Sequence, residues 1–239
     1  VMDLLAADIA SSPANEYFPG RRTFDVYASH SWASGTSPFA DGNNQESSSE
    51  AVLAWAGLSL WAKASGQDDL EREATWMHAL EAQSARAYWT DFDESDPVYE
   101  GYGHTVIPLN FGGKRDYATW FSPEPAAMLA ILLIPVSPSS DHLAGDPGRI
   151  ERNVAEATST AGFNQTYGDY LLMYSALAGE EARVAALEEA RALDAVDDGN
   201  TRTYLLAWLM SLESSARSAG RPRSGAAPPF HRLISGASP

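Results

Sequence analysis

The stretch Gln45-Glu-Ser-Ser-Ser-Glu-Ala-Val-Leu-Ala-Trp-Ala-Gly-Leu-Ser-Leu-Trp-Ala-Lys-Ala-Ser65 decides the fold class. Ala51, Val52, Leu53, Trp55, Leu58, Leu60 and Trp61 leave it apolar on nearly all sides, and Gly66 closes it, which is the pattern of a buried helix. Working outward, helical spacing returns at Val1–Ala10, ended by Ser11-Ser12-Pro13, and at Asp68–Tyr88. In the latter, Leu70, Ala74, Met77, Leu80 or Glu81, Ser84 and Tyr88 fall near one stripe. Pro123 opens a short apolar helix at about Glu124–Leu133, which Pro135 and Pro138 stop. Gly148–Ala157, Tyr167–Leu177, Glu180–Leu193 and about Asn200–Leu212 complete the set. No alternating strand pattern of useful length occurs, so the class is all-α. Helices joined alternately by short turns and long polar loops predict a helical barrel with its site at the loop-rich end.

Composition bounds the chemistry. The 239 residues carry 16 Lys and Arg against 32 Asp and Glu, a net charge of -16, with 44% hydrophobic residues. That is neither a disordered polyelectrolyte nor a membrane protein, and the acidic balance opposes binding to phosphate backbones. The longest apolar stretch, Ala126–Val136, is too short to span a bilayer and contains Pro135. With no cysteine, a disulfide scaffold, a thiolate zinc site and a cysteine nucleophile are excluded. His30, His78, His104, His142 and His231 show no ligand spacing, so neither metal nor cofactor is expected. Seven Trp and ten Tyr suit the CH-rich faces of sugars as well as an ordinary core. Val1–Ala10 lacks the basic start and long apolar run of a signal peptide. The segment 213–239, rich in Ser, Ala, Gly, Pro and Arg, is expected to be a disordered tail following a main body over residues 1–212.

Chemistry concentrates in two polar loops, Asn15–Asn44 and Asp91–Phe121, both long for a compact domain. In Phe39-Ala-Asp-Gly-Asn-Asn-Gln-Glu-Ser-Ser-Ser-Glu50, Asp41, Glu46 and Glu50 lie where a loop enters a helix. Four-residue spacing would put Glu46 and Glu50 on one helix face, roughly 6 Å apart at Cβ, where they can share a water or raise each other's pKa. The ordinary alternative is a solvated helix start, with acidic residues favoured by the macrodipole and Ser47–Ser49 as cap residues. Upstream, Asp25, His30 and Trp32 offer hydrogen bonds and a stacking face for a sugar. Ser31 lacks the Gly-x-Ser-x-Gly elbow of a nucleophile. Gly112-Gly113-Lys114 lacks the spacing of a phosphate loop.

Arg22-Thr-Phe-Asp-Val-Tyr-Ala-Ser-His-Ser-Trp-Ala-Ser-Gly35, followed by Phe39-Ala-Asp-Gly-Asn-Asn-Gln-Glu-Ser-Ser-Ser-Glu-Ala-Val52, strongly resembles the catalytic core of glycoside hydrolase family 81, the endo-β-1,3-glucanases or laminarinases. The likeness continues through Trp55 to Trp61, Tyr88-Trp89, Gly112-Gly-Lys-Arg-Asp-Tyr-Ala-Thr-Trp-Phe121, Leu133-Ile-Pro-Val-Ser-Pro138 and Asp197-Asp-Gly-Asn-Thr-Arg-Thr-Tyr-Leu-Leu206, so it covers residues 1 to about 212. The resemblance implies an (α/α)6 barrel and an inverting hydrolase acting extracellularly on a β-1,3-glucan such as laminarin or a curdlan-like polymer. By the same resemblance Glu50 is the general base, Glu46 tunes or positions the water and Asp25 positions the site. His30, Trp32, Lys114, Asp116 and Trp120 are its sugar-contact candidates.

The chain also departs from the family pattern. The resemblance puts the general acid in an Asn-Asp-His-His-Phe-His-Tyr-Gly-Tyr segment, and these 239 residues contain no such segment. Two alternatives follow: a non-catalytic β-1,3-glucan-binding protein or inactive fragment, and an enzyme whose acid comes from a complementary N-terminal segment or a neighbouring chain. Eight predicted helices fall short of the twelve of the barrel, so exposed apolar helix faces are expected.

Overall fold

The computed structural model describes residues 1–11 and 15–219. Eight α-helices run through the described residues: α1 Met2–Ile9, α2 Ser48–Ser65, α3 Asp68–Ala85, α4 Pro125–Ala130, α5 Pro147–Ala157, α6 Gly168–Ser175, α7 Glu180–Ala192 and α8 Arg202–Ala219. Each answers to a helix read from periodicity. A π-helical turn, Arg86–Thr90, extends α3 and accounts for the longer helix expected there. α8 continues past the expected end at Leu212, into the segment read as tail. The Ser12-Pro13 stop and the tail from residue 220 onward lie outside the described residues.

The helices form two packed groups. α2 and α3, joined by Gly66-Gln67, pack along each other as a helical hairpin with α1 against them. Trp55, Leu58, Ala74 and Met77 fill the space between, together with Ala6 and Ala10. α2 is not buried on all sides as expected. It buries one stripe, including Val52, Trp55, Ala56 and Ala62, and leaves Leu60 65% exposed, because α3 covers only one of its faces. Elsewhere Met2, Leu4 and Leu5 of α1 and Trp76 of α3 are exposed apolar side chains.

The larger core joins α4 to α8. Leu129, Leu132 and Leu133 from the α4 region meet Ile150 of α5, Leu171 to Met173 of α6, and Leu205 and Leu209 of α8. Each such side chain contributes roughly 1.5–3 kcal/mol by leaving water. At the start of α6 only glycine fits, since a Cβ on Gly168 would lie 1.8 Å from the Phe163 carbonyl oxygen.

Two small antiparallel sheets, not anticipated from the sequence, order the polar loops. β1, Phe24–Asp25, pairs with β2, His30–Ser31, setting Phe24 opposite Ser31 and Asp25 opposite His30. β3, Asn44–Gln45, pairs with β4, Leu109–Phe111, which pairs in turn with β5, Arg115–Asp116. Strands of two or three residues are too short to show a period of two. The second sheet carries the chain from the upstream loop directly into α2.

Candidate active site

The site begins where α2 begins. Ser47 occupies the N-cap position but makes no side-chain cap bond. Two hydroxyls of this serine run instead bond the far end of α4: Ser49 Oγ donates to the Ile134 carbonyl at 2.5 Å and Ser47 Oγ to the Ile131 carbonyl at 3.3 Å. Carbonyls just past a helix end lack partners within the helix, so the serines satisfy them and lock the two helix ends together. Ser47 and Ser49 therefore join elements and do not act as the caps expected of them. Trp89 Nε1 donates to the Gln45 carbonyl at 3.3 Å and supports the entry strand from below.

Glu50 lies in the first turn of α2 and is exposed. Glu46 precedes the helix, two residues before its first residue, so the shared helix face inferred from the four-residue spacing does not exist. Glu46 nevertheless feels the charge of Glu50. Burial raises its carboxyl above the ordinary range, the hydrogen bond from the Trp120 N–H opposes this, and Glu50 adds to the rise. That Trp120 bond reaches Oε1 at 2.8 Å and fixes one oxygen of the group.

The other wall comes from the β1–β2 hairpin. Trp32 Nε1 donates to Asp25 Oδ2 at 3.1 Å, while Asp25 Oδ1 accepts from the N–H groups of Tyr27 at 2.8 Å and Ala28 at 3.2 Å. The Trp32 bond, with the two turn N–H groups and His30 helping against partial burial, lowers the Asp25 carboxyl below the ordinary range. Asp25 is thus an acceptor that orients Trp32. The Ala33 N–H donates to the Asn44 carbonyl at 2.8 Å and joins this wall to β3.

Between the walls lies a cleft of about 520 Å3 whose lining includes Trp32, Glu46, Glu50, Trp55 and Trp120. Four of the residues singled out from sequence, Trp32, Glu46, Glu50 and Trp120, therefore meet in one space. His30 does not line it. Only 3% exposed, its ring packs edge-on to Trp32 at 4.4 Å and to Trp89 at 4.9 Å, and burial lowers its pKa. As a direct sugar contact His30 is corrected to a buried support behind Trp32.

Lys114 and Asp116 also lie outside the lining. Lys114 Nζ bridges Asp41 at 3.1 Å and Asp116 at 3.0 Å, above the Phe111 ring. The bridge forms because the turn at Gly112-Gly113 lets the Asp41 loop come close. The Gly113 N–H donates to the Asp41 carbonyl at 2.8 Å, and a Cβ on Gly113 would lie 3.1 Å from that oxygen. The Gly-Gly-Lys triplet is a docking turn in this fold.

Sequence reasoning missed two features of the site. Phe39, 43% exposed, stacks on Trp120 with ring centres 5.7 Å apart and widens that aromatic surface. Its signal was an exposed aromatic beside Asp41 in a motif read only for its carboxylates. Glu81 of α3 is buried behind Ser31, and the ambiguous Leu80-or-Glu81 stripe was the available hint. Larger clefts, lined by α1 with the start of α3 and by His78 with His142, gather no comparable set of carboxylates and aromatics. Among the described residues no group of three or more His, Asp or Glu could hold a metal ion, and no helix is long and apolar enough to cross a membrane. Paired carboxylates between aromatic faces are suited to moving a proton to or from water beside a neutral sugar.

Comparison with known proteins bears on the chain as a whole. The family model described as glycosyl hydrolase family 81 C-terminal domain matches residues 1–210. A glucan endo-1,3-beta-D-glucosidase of Acetivibrio thermocellus is 33% identical over 90% of this chain and 28% of its own length. One of Glycine max bearing the same name is 31% identical over 88% of this chain and 32% of its own. A solved mutant of a glycoside hydrolase family 81 protein from Clostridium thermocellum superimposes with a TM-score of 0.76 at 31% identity, covering 89% of this chain and 29% of that one. The chain spans a third or less of the length of each of these relatives.

Proposed function

The chain belongs to glycoside hydrolase family 81, and from that membership we propose that it forms the base-bearing part of an endo-β-1,3-glucanase that hydrolyses internal glucosidic bonds with inversion. The observation that carries this reading is the cleft holding Glu46 and Glu50 between Trp32 and Trp120. In it Glu50 takes a proton from water as the water attacks the anomeric carbon. Glu46, held through one oxygen by the Trp120 N–H, orients that water. Trp32 and Trp120 stack on the CH faces of a β-1,3-glucan of the laminarin or curdlan type. Asp25 positions the Trp32 side of the site. The proton for the leaving oxygen comes from an acid outside these 239 residues, on a complementary N-terminal segment of the same enzyme. The eight helices are then part of an (α/α)6 barrel, and the setting is extracellular.

The test is hydrolysis of laminarin by this chain together with its complementary N-terminal segment, with the product anomer followed by NMR. Inversion at a β-linkage releases the α-anomer first, and initial β-anomer overturns the mechanism. Glu50→Gln is expected to lower the rate by about 10²–10⁴-fold or more while leaving laminarin binding in place. A second reading is a non-catalytic β-1,3-glucan-binding protein, in which the cleft between Trp32 and Trp120 holds the sugar without turnover. Retardation in a laminarin gel with no product after long incubation in the presence of the complementary N-terminal segment would select it.

A further inference from the structure

Glu81 is a carboxyl that the proposed hydrolysis does not use, and it is only 2% exposed. From the inner face of α3 it reaches the hairpin that carries Trp32. Its Oε1 accepts from the Ser31 N–H at 2.8 Å and from the Ser31 hydroxyl at 2.5 Å. One turn further along α3, Ser84 Oγ donates to the carbonyl of Ser29 at 2.8 Å and lies 3.2 Å from that of Ala28. The helix thus grips the hairpin at adjacent points, with Glu81 taking the residue next to Trp32. From Trp32 the linkage continues through the bond of Ala33 to Asn44, two residues before Glu46.

We propose that Glu81 is a positioning residue of the cleft, which through Ser31 sets the Trp32 face at its working distance from Glu46 and Glu50. The proposal rests on the glucan-cleft reading above. A carboxyl is a costly way to hold a loop in a core, because an uncharged acceptor would satisfy the Ser31 donors without the penalty of burying an ionisable group. Burial pushes the Glu81 carboxyl up to about 7, with hydrogen bonding from Ser31 and Trp55 acting in the other direction. The elements packed against α3 carry Glu50 and Lys63 on α2, Asp25 and His30 on the hairpin, Arg86 and Tyr88 on the π-helical turn, and Asp141 and His142 on the 3-10 turn Asp141–Leu143, while His78 lies one turn before Glu81 on α3 itself.

Two substitutions in the full chain separate positioning from bulk stability. Glu81→Gln keeps an acceptor oxygen for Ser31 and loses the titration, whereas Glu81→Leu keeps buried volume and leaves the Ser31 donors unpaired. Laminarihexaose affinity is measured by tryptophan fluorescence, and the Trp32 indole N–H resonance by NMR without sugar. Gln is expected to rescue affinity to within about twofold of the parent, and Leu to weaken it about tenfold or more, as expected when a supporting shell shifts a site by a fraction of an ångström. The Trp32 indole resonance should move in Glu81→Leu. It should also titrate near pH 7 in the parent in a component that Glu81→Gln abolishes, while any component from His30 persists in both.

An unchanged Trp32 resonance and affinity in a folded Leu protein overturns the proposal. So does a parent Trp32 resonance that stays still while the Glu81 carboxyl carbon titrates, a measurement that holds even if Glu81→Leu does not fold. Failure of the parent chain to bind laminarihexaose counts against the glucan reading instead, and the sugar-free resonance still decides the positioning role.

Discussion

Two buried ionisable residues oppose each other in the acid response of this fold. Glu81 is raised by burial from 4.5 to about 7, and His142, 7% exposed, is lowered by burial from 6.5 to about 4. Between pH 4.5 and 7 the folded state keeps the Glu81 proton that the unfolded chain has lost, so this group's stability is full below 4.5 and declines as pH rises through 7. Between pH 4 and 6.5 the unfolded chain holds a proton that folded His142 refuses, so this group's stability is full above 6.5 and is lost as pH falls through 4. Each amounts to about 3 kcal/mol across its window, and the windows overlap with opposite slopes. Removing one titration therefore exposes the other. Denaturant unfolding of Glu81→Gln at a series of pH values is expected to show stability rising more steeply with pH from 4.5 to 6.5 than in the parent. An equal or flatter profile would contradict the raised pKa.

At the scale of elements, the start of α2 is held by side chains whose hydrogen bonds leave the helix. Ser49 is 1% exposed, and its hydroxyl donates to the part-buried Ile134 carbonyl beyond the end of α4. Replacing it by Ala removes that bond, for which the expected loss is about 0.5–1.5 kcal/mol. As an ordinary helix cap, Ser47 would be the more sensitive of the two. Thermal unfolding of Ser49→Ala beside Ser47→Ala distinguishes the cases, with the larger drop expected at Ser49. The helices themselves were legible in the sequence because their 3.6-residue period is local. The serine bonds were not, because the same Ser-Ser-Ser before a helix signals a cap until the far end of another helix is set against it.

For the whole molecule, the net charge of -16 is a property of the surface and not of the cleft chemistry. If the ligand is the neutral glucan proposed above, it gains nothing from that field, and its recognition rests on stacking and short hydrogen bonds that salt does not screen. Laminarihexaose affinity is expected to change less than about twofold between about 50 mM and about 500 mM sodium chloride. A steep salt dependence, measured by fluorescence titration, would indicate a charged ligand instead.

The division between sequence and tertiary structure follows from the range of the forces involved. The all-α class, the eight helices and the inventory of Glu46, Glu50, Trp32 and Trp120 were present in the sequence, because backbone periodicity and residue chemistry are properties of short segments. Only the folded chain decided which residues share a space. It took Glu46 off the helix, buried His30 behind Trp32, tied Lys114 to Asp41 and Asp116, and set Glu81 under Ser31. The bonds responsible join residues 50 and 85 positions apart, Ser31 to Glu81 and Ser49 to Ile134. Such partners are chosen by the packing of α2 on α3 and against α4, where a buried donor or acceptor must find whichever group the packed helices bring within reach.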